Sequence, residues 1–240
     1  MKRRPPNDPV DDAIAAVVKR KLERILCDGG LDDIAVSLSQ KVATFASHLA
    51  LWGSKINLTA SPTDSDEILF HVMDSLAPFW IARKQPDSVL GRVLGEGCRL
   101  MDVGSGAGFP GLILAAATGL ETVLLEARRK RVSFLKTVAA AMELPNVTIV
   151  HTRGTPSSIL MGGFDLITIR AVGVMPEFFE LARMALRPGG VALAYLAAAQ
   201  EVDSDAASAS GLTGLLSPLY EMSRGGEKIA RALALCLKES

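Results

Sequence analysis

The chain carries no net charge: lysine plus arginine and aspartate plus glutamate number 26 each. No overall positive field therefore draws it to nucleic acid, and any RNA or DNA contact must come from a local patch. Cysteine is scarce. Cys27, Cys98 and Cys236 are odd in number, far apart and without Cys-x-x-Cys spacing, which argues against a disulfide framework and a zinc site and fits a reducing cytoplasm. No apolar stretch reaches the about 18 residues that a membrane span requires. The basic start Met1-Lys2-Arg3-Arg4 is followed by no apolar run of the kind that makes a secretory signal. The sequence also lacks a Ser/His/Asp hydrolase arrangement, a His/Glu metal spacing and an internal repeat.

With 240 residues, 49% of them hydrophobic, the chain can bury one large α/β core with a helical extension, and has no room for a second full domain. Residues 1–10, with Pro5, Pro6 and Pro9 among charges, read as a mobile arm. Residues 11–90 read as an extension of three helices. Ile14, Val18, Leu22, Ile25 and Leu26 recur at helical spacing up to Gly29-Gly30; Ile34, Leu38, Val42, Phe45, Leu49 and Trp52 form a core-facing stripe up to Gly53. Turn material at 57–64 precedes a third helix over about 66–82.

From residue 91 onward the periods alternate. Strands are expected at 99–103, 122–126, 146–151, 164–170 and 190–196, with helices over about 128–142 and 176–186 between them. Strands separated by such helices imply right-handed crossovers and a mostly parallel, doubly wound sheet, the Rossmann-like α/β class. Residues 200–216, rich in Ser, Ala and Asp, are open between helix and loop, and the alternation near Leu233 to Leu237 suggests a last strand.

The first of these strands runs straight into Asp102-Val103-Gly104-Ser105-Gly106-Ala107-Gly108-Phe109-Pro110-Gly111. Three alternating glycines let backbone turn sharply and approach a ligand where a Cβ would obstruct it. Asp102 is placed to accept from a cationic amine or to order a water. An acid followed by Gly-x-Gly-x-Gly suits S-adenosylmethionine, yet Gly106, Gly108 and Gly111 also satisfy the dinucleotide fingerprint. Glu126, ending the second strand, can accept both ribose hydroxyls of either cofactor. The few residues after Arg170 leave little room for the second region a nicotinamide enzyme needs, which favours a methyltransferase.

Arg128, Arg129, Lys130 and Arg131 are four consecutive cations at a helix amino terminus, where they oppose the helix dipole unless an anion compensates; a phosphate backbone is such an anion, and a solvated turn is the alternative. Arg170 closes an apolar strand at the edge where ligands bind. His71 and Asp74-Ser75 share one face of the third helix.

Together, the stretches 51–59 (with Asn57-Leu58-Thr59), His71 to Leu76, Asp102 to Gly111, Lys130 to Leu135 and Phe164 to Ala171 resemble the bacterial 16S ribosomal RNA guanine-N7 methyltransferases, the glucose-inhibited division protein B family. The resemblance covers roughly residues 45 to 195. It implies a methyltransferase domain over 91–240, a last strand inserted antiparallel, and S-adenosylmethionine held by Asp102, Gly104, Ser105, Gly106, Gly108, Phe109 and Glu126, with Arg153 and Gly154 near the adenine. It further implies His71 and Arg170 as the groups orienting guanine, Arg128 to Arg131 as RNA-binding, and no metal. The partner would be 16S ribosomal RNA, alone or in the 30S subunit or an assembly intermediate, met by a monomer in the cytoplasm. Guanine N7 has an in-plane lone pair, so the implied reaction requires alignment and no general base. Two departures stand out. Ala107 replaces a usual proline, and Tyr195-Leu196-Ala197-Ala198 replaces a usual Lys-Gly pair, so that a basic group expected near the RNA is missing. A non-catalytic RNA-binding or assembly protein retaining the fold is the alternative this leaves open, and an unrelated small-molecule methyltransferase or nicotinamide oxidoreductase a third.

Overall fold

The computed structural model describes residues 9–156, 162–170, 176–197, 204–215 and 219–239. Three long helices open the chain: α1 (Pro9–Asp28), α2 (Asp32–Gly53) and α3 (Ser65–Lys84), followed by the short α4 (Val89–Val93). Most of the expected arm, residues 1–8, lies outside the described residues; Pro9 and Val10 already belong to α1. Asp64 caps α3, its carboxylate accepting from the backbone N–H of Asp66 at 2.8 Å and Glu67 at 3.3 Å, a contribution of about 1 kcal/mol.

The alternating part follows as β1 (Arg99–Val103), α5 (Gly111–Thr118), β2 (Glu121–Glu126), α6 (Arg129–Ala141), β3 (Val147–His151), β4 (Phe164–Arg170), α7 (Pro176–Ala185) and β5 (Leu186–Ala197). The open region 200–216 holds a short helix, α8 (Ser204–Ala209), and a strand, β6 (Leu212–Leu215); β7 (Leu219–Arg224) and β8 (Glu227–Lys238) close the chain as a hairpin. Strand order is β3-β2-β1-β4-β5-β8-β6, with β7 also paired to β8. The first five strands run parallel, and β8 inserts antiparallel beside β5, as the resemblance implies.

Side chains alternate across the sheet, so each strand supplies two cores. Leu100, Leu124 and Leu166 join one apolar cluster, and Met101, Val123 and Ile167 the other. The first cluster is continuous from Val18 and Phe45 through Phe134 to Leu233. The helical extension thus shares a core with one face of the sheet. Edge-to-face contacts of Phe45 with Phe109 (5.1 Å between ring centroids) and Phe134 (6.4 Å), and of Trp52 with Phe134 (5.9 Å), seat α2 against the glycine turn and α6. The second face is covered by α7 through Phe178, Phe179 and Leu181.

Register decides what meets at the carboxyl edge. Asp102 lies opposite Thr168, Glu126 opposite His151, Arg170 opposite Tyr195, and Ala197 opposite Arg231.

Candidate functional site

Between α3, the loop after α2 and this edge lies a cleft of about 520 Å³. Its floor is the glycine turn, Gly104 to Ala107; Leu58, Thr59, Phe70, His71 and Phe109 form one side, and Arg131, Arg170, Tyr195 and Arg231 complete it.

The glycines divide by purpose. Gly104 has φ +71°, and a β-carbon built there would meet nothing within 4 Å; Gly106 has φ +55° and only loose neighbours. At Gly111 a β-carbon would lie 2.5 Å from Asp102 Cβ and 2.6 Å from Leu124 Cδ2. The first two keep the cleft floor clear, whereas Gly111 lets α5 settle onto β1 and β2. The turn is held from beneath: Gly104 and Ser105 donate N–H bonds to the Leu125 carbonyl at 2.9 and 3.0 Å.

Glu126 is nearly buried. Its carboxylate accepts from Gly106 N–H at 2.9 Å and from Arg128 N–H at 2.6 Å, which ties the turn to the start of α6 and sets a negative group at that helix amino terminus. Each oxygen keeps a further lone pair for a ribose hydroxyl. Arg153 is exposed and Gly154 half-buried beyond β3, outside the cleft but on the Glu126 side; a β-carbon on Gly154 would stand 3.2 Å from Val103.

Asp102 is enclosed near the end of β1. It is fully buried, accepting from Thr168 Oγ1 at 2.7 Å and from Gly111 N–H at 3.3 Å. Burial raises its pKa to about 6, against the opposing bonds from Thr168 and Gly111. The side chain fastens β1 to β4 and to the start of α5, because the register sets Thr168 beside it.

The polar wall of the cleft is organised by Asp74, fully buried on α3. It takes Arg170 Nη2 at 3.0 Å, Arg231 Nε and Nη2 at 3.0 and 3.1 Å, and Tyr220 Oη at 2.5 Å. Arg170 also donates to His71 Nδ1 at 2.7 Å and lies near the Ser75 hydroxyl at 3.4 Å, with its Cζ 5.6 Å from the centre of the Phe109 ring. Sequence reasoning assigned its guanidinium to the substrate; the structure turns most of that fork to protein groups, since an arginine this buried must be answered. A guanidinium cannot accept a hydrogen bond, so His71 Nδ1 is the acceptor and Nε2 carries the proton. That N–H lies 3.3 Å from Glu67 Oε1. Burial first, and Arg170 second, lower the His71 pKa to about 4, so the ring is neutral with both nitrogens engaged.

Arg128, Arg129 and Lys130 are exposed and, with Lys55, Asn57 and Arg131, line a second cavity of about 410 Å³. Arg131 is half-buried and lines both cavities. Sequence reasoning overlooked one cation of the cleft, Arg231. Tyr195 is buried, donating its hydroxyl to the Ser75 carbonyl at 2.9 Å, and Arg231 reaches the cleft from the neighbouring antiparallel strand. Also overlooked were Tyr220, Glu67 with its partner Arg224 at 2.7 Å, and Thr59, whose buried hydroxyl has no hydrogen-bond partner among the described residues.

This arrangement meets its relatives in sequence as well as in shape. Residues 38–215 match the GidB family model, rRNA small subunit methyltransferase G. The chain belongs to this family. It is 34% identical over 180 residues to ribosomal RNA small subunit methyltransferase G of Streptococcus pyogenes serotype M1, covering 72% of each chain. With the protein of the same name from Albidiferax ferrireducens it shares 35% identity over 188 residues, 73% of this chain and 80% of that one. The fold is that of S-adenosylmethionine-dependent methyltransferases. A Pyrococcus horikoshii protein of proposed RNA methyltransferase activity superposes with a TM-score of 0.55 at 14% identity, covering 80% of this chain and 98% of that one. The precorrin-6y C5,15-methyltransferase of Geobacter metallireducens gives 0.50 at 16% identity, covering 63% and 86%.

Proposed function

We infer that this chain transfers a methyl group from S-adenosylmethionine to a guanine of small-subunit ribosomal RNA, and that the acceptor atom is N7. The observation that carries the choice of atom is the absence of a free base among the described residues of the cleft wall. His71 has one nitrogen filled by Arg170 and the other turned to Glu67, and the Tyr195 hydroxyl is taken up by Ser75. Guanine N7 loses no proton on methylation, so a wall built to orient rather than to deprotonate matches it.

The residues present fit the cofactor: Gly104 and Gly106 leave a floor no side chain fills, and Glu126 stands beside it with lone pairs still open. When bound, S-adenosylmethionine supplies an electrophilic methyl group. Phe109, His71 and the edge of Arg170 then hold the target base against it, with Arg231 as the cation that the strand-five position lacks. Arg128, Arg129 and Lys130, joined by Lys55, bind the RNA backbone beside the cleft. Because N7 faces the deep, narrow groove of an A-form helix, the target nucleotide enters splayed from a loop or an opened helix. The setting is the cytoplasm, the protein acting as a monomer on the 30S subunit or its RNA.

The reading is tested by incubating the protein with methyl-labelled S-adenosylmethionine and either small-subunit RNA, 30S subunits or large-subunit RNA. Label in the small-subunit samples alone is expected. Binding of RNA without any transfer would favour a non-catalytic assembly role.

A further inference from the structure

The four consecutive cations of the sequence line one cavity, but the last of them also enters the cleft over the glycine turn. At about 100° per residue, successive positions of a helix point in different directions, and the fourth is turned inward. Arg131 donates from Nη2 to the Asn57 carbonyl at 2.8 Å, which holds the guanidinium against the loop after α2. Its Nη1 reaches over the glycine turn, 3.6 Å from where a β-carbon on Gly106 would stand. Three arginines line the cleft, and two of them, Arg170 and Arg231, are answered by Asp74. Arg131 has no carboxylate within ion-pairing distance among the described residues; its bond is to a neutral carbonyl.

The cleft itself says which anion would answer it. Glu126 and the residues after β3, which suit the ribose and adenine, are not part of its lining. The portion of S-adenosylmethionine left for this end is the methionine arm, whose sole negative group is the α-carboxylate. We propose that Arg131 binds that carboxylate, and so belongs to the cofactor site rather than to the RNA-binding run formed by Arg128, Arg129 and Lys130. The inference rests on the methyltransferase reading above and adds to it a residue role. A planar guanidinium with one edge anchored on Asn57 and the other over the turn is pre-organised for a carboxylate.

The test is calorimetric titration of the full chain with two probes: S-adenosylhomocysteine, which has the carboxylate, and 5′-methylthioadenosine, which keeps the adenosine but lacks the amino-acid arm. Arg131→Gln should weaken S-adenosylhomocysteine binding about 10- to 100-fold, the range for removal of a charge-assisted hydrogen bond, and leave methylthioadenosine affinity unchanged. Arg131→Lys should recover part of the loss. Lys136→Gln, which removes an exposed charge from the same helix, should alter neither. Equal weakening of both probes would assign Arg131 to holding the loop in place and overturn the proposal. So would unchanged S-adenosylhomocysteine affinity in Arg131→Gln, which would return Arg131 to the basic run. Failure of the wild type to bind S-adenosylhomocysteine at all would instead overturn the methyltransferase reading, and this inference with it.

Discussion

Replacing Asp74 by alanine removes the one carboxylate that, among the described residues, answers Arg170 and Arg231. Both guanidiniums are mostly buried, their side chains 9% and 15% exposed, and Asp74 itself is inaccessible. The variant would strand two cations and the Tyr220 hydroxyl around a small void. Breaking a buried ion pair from one side costs about 3–5 kcal/mol, and for a chain of this size each kcal/mol shifts the melting temperature by roughly 2–4 °C. A drop of about 6–20 °C is therefore expected in a calorimetric melt. Asp66→Ala serves as a reference, since it breaks the exposed Lys21 pair at 2.6 Å, whose side chains are 45% and 53% exposed; such pairs contribute within about 1 kcal/mol. Asp74→Asn, which keeps the volume and an acceptor oxygen, should fall between the two. If Asp74→Ala melts no lower than Asp66→Ala, the hub does not hold the hairpin and β4 to α3, and the reasoning fails.

Other consequences follow from single side chains. Gly111→Ala should lower the melting temperature by several degrees, because its β-carbon would press on Asp102 and Leu124 and such overpacking costs about 1–3 kcal/mol. Gly104→Val should bind no S-adenosylhomocysteine while remaining folded by circular dichroism; normal binding would show that the cleft floor is not the cofactor seat. His71, neutral in the fold with a pKa of about 4 against 6.5 in the open chain, adds stability above pH 6.5 that is lost as pH falls toward 4. Asp102, raised from 3.8 to about 6, acts in the opposite sense and is relieved as pH falls through the same window. His71→Gln should therefore lose about 2–3 kcal/mol less than the wild type between pH 7 and pH 4 in denaturant titrations, and parallel profiles would contradict the assignment. Alanine at Arg128 and Arg129 should lower RNA affinity and flatten its salt dependence by about one unit for each phosphate that is no longer neutralised.

The parts of this molecule that could be read from sequence are those whose cause is local. Helical spacing sufficed for α1 to α3, and an apolar run ending in glycines sufficed for β1 and its turn. At Arg131 contiguity says less, because neighbours in sequence diverge around a helix and the fourth cation lines the cleft as well as the basic cavity. At Asp102 both oxygens of the carboxylate are engaged by groups that only the β1–β4 register and the close seating of α5 bring near, which no local pattern announces. Arg231 and Asp74 lie 157 positions apart, so no local pattern announces the pair. The strand that carries Arg231 begins with the charged pair Glu227-Lys228, so the sequence pattern shows β8 only at its apolar end. The departure at Tyr195 is visible in the sequence, whereas the entry of Arg231 into the same cleft depends on the pairing of β5 with β8.

The function proposed for the cleft turns on the identity of the methylated atom. Small-subunit RNA modified by the protein with labelled S-adenosylmethionine should be digested to nucleosides and separated against standards. The label is expected to travel with 7-methylguanosine and to map to an unpaired or openable position. Label in an N2-methylated guanine or a 2′-O-methylated ribose, both of which require loss of a proton, would contradict a cleft built only to orient its base.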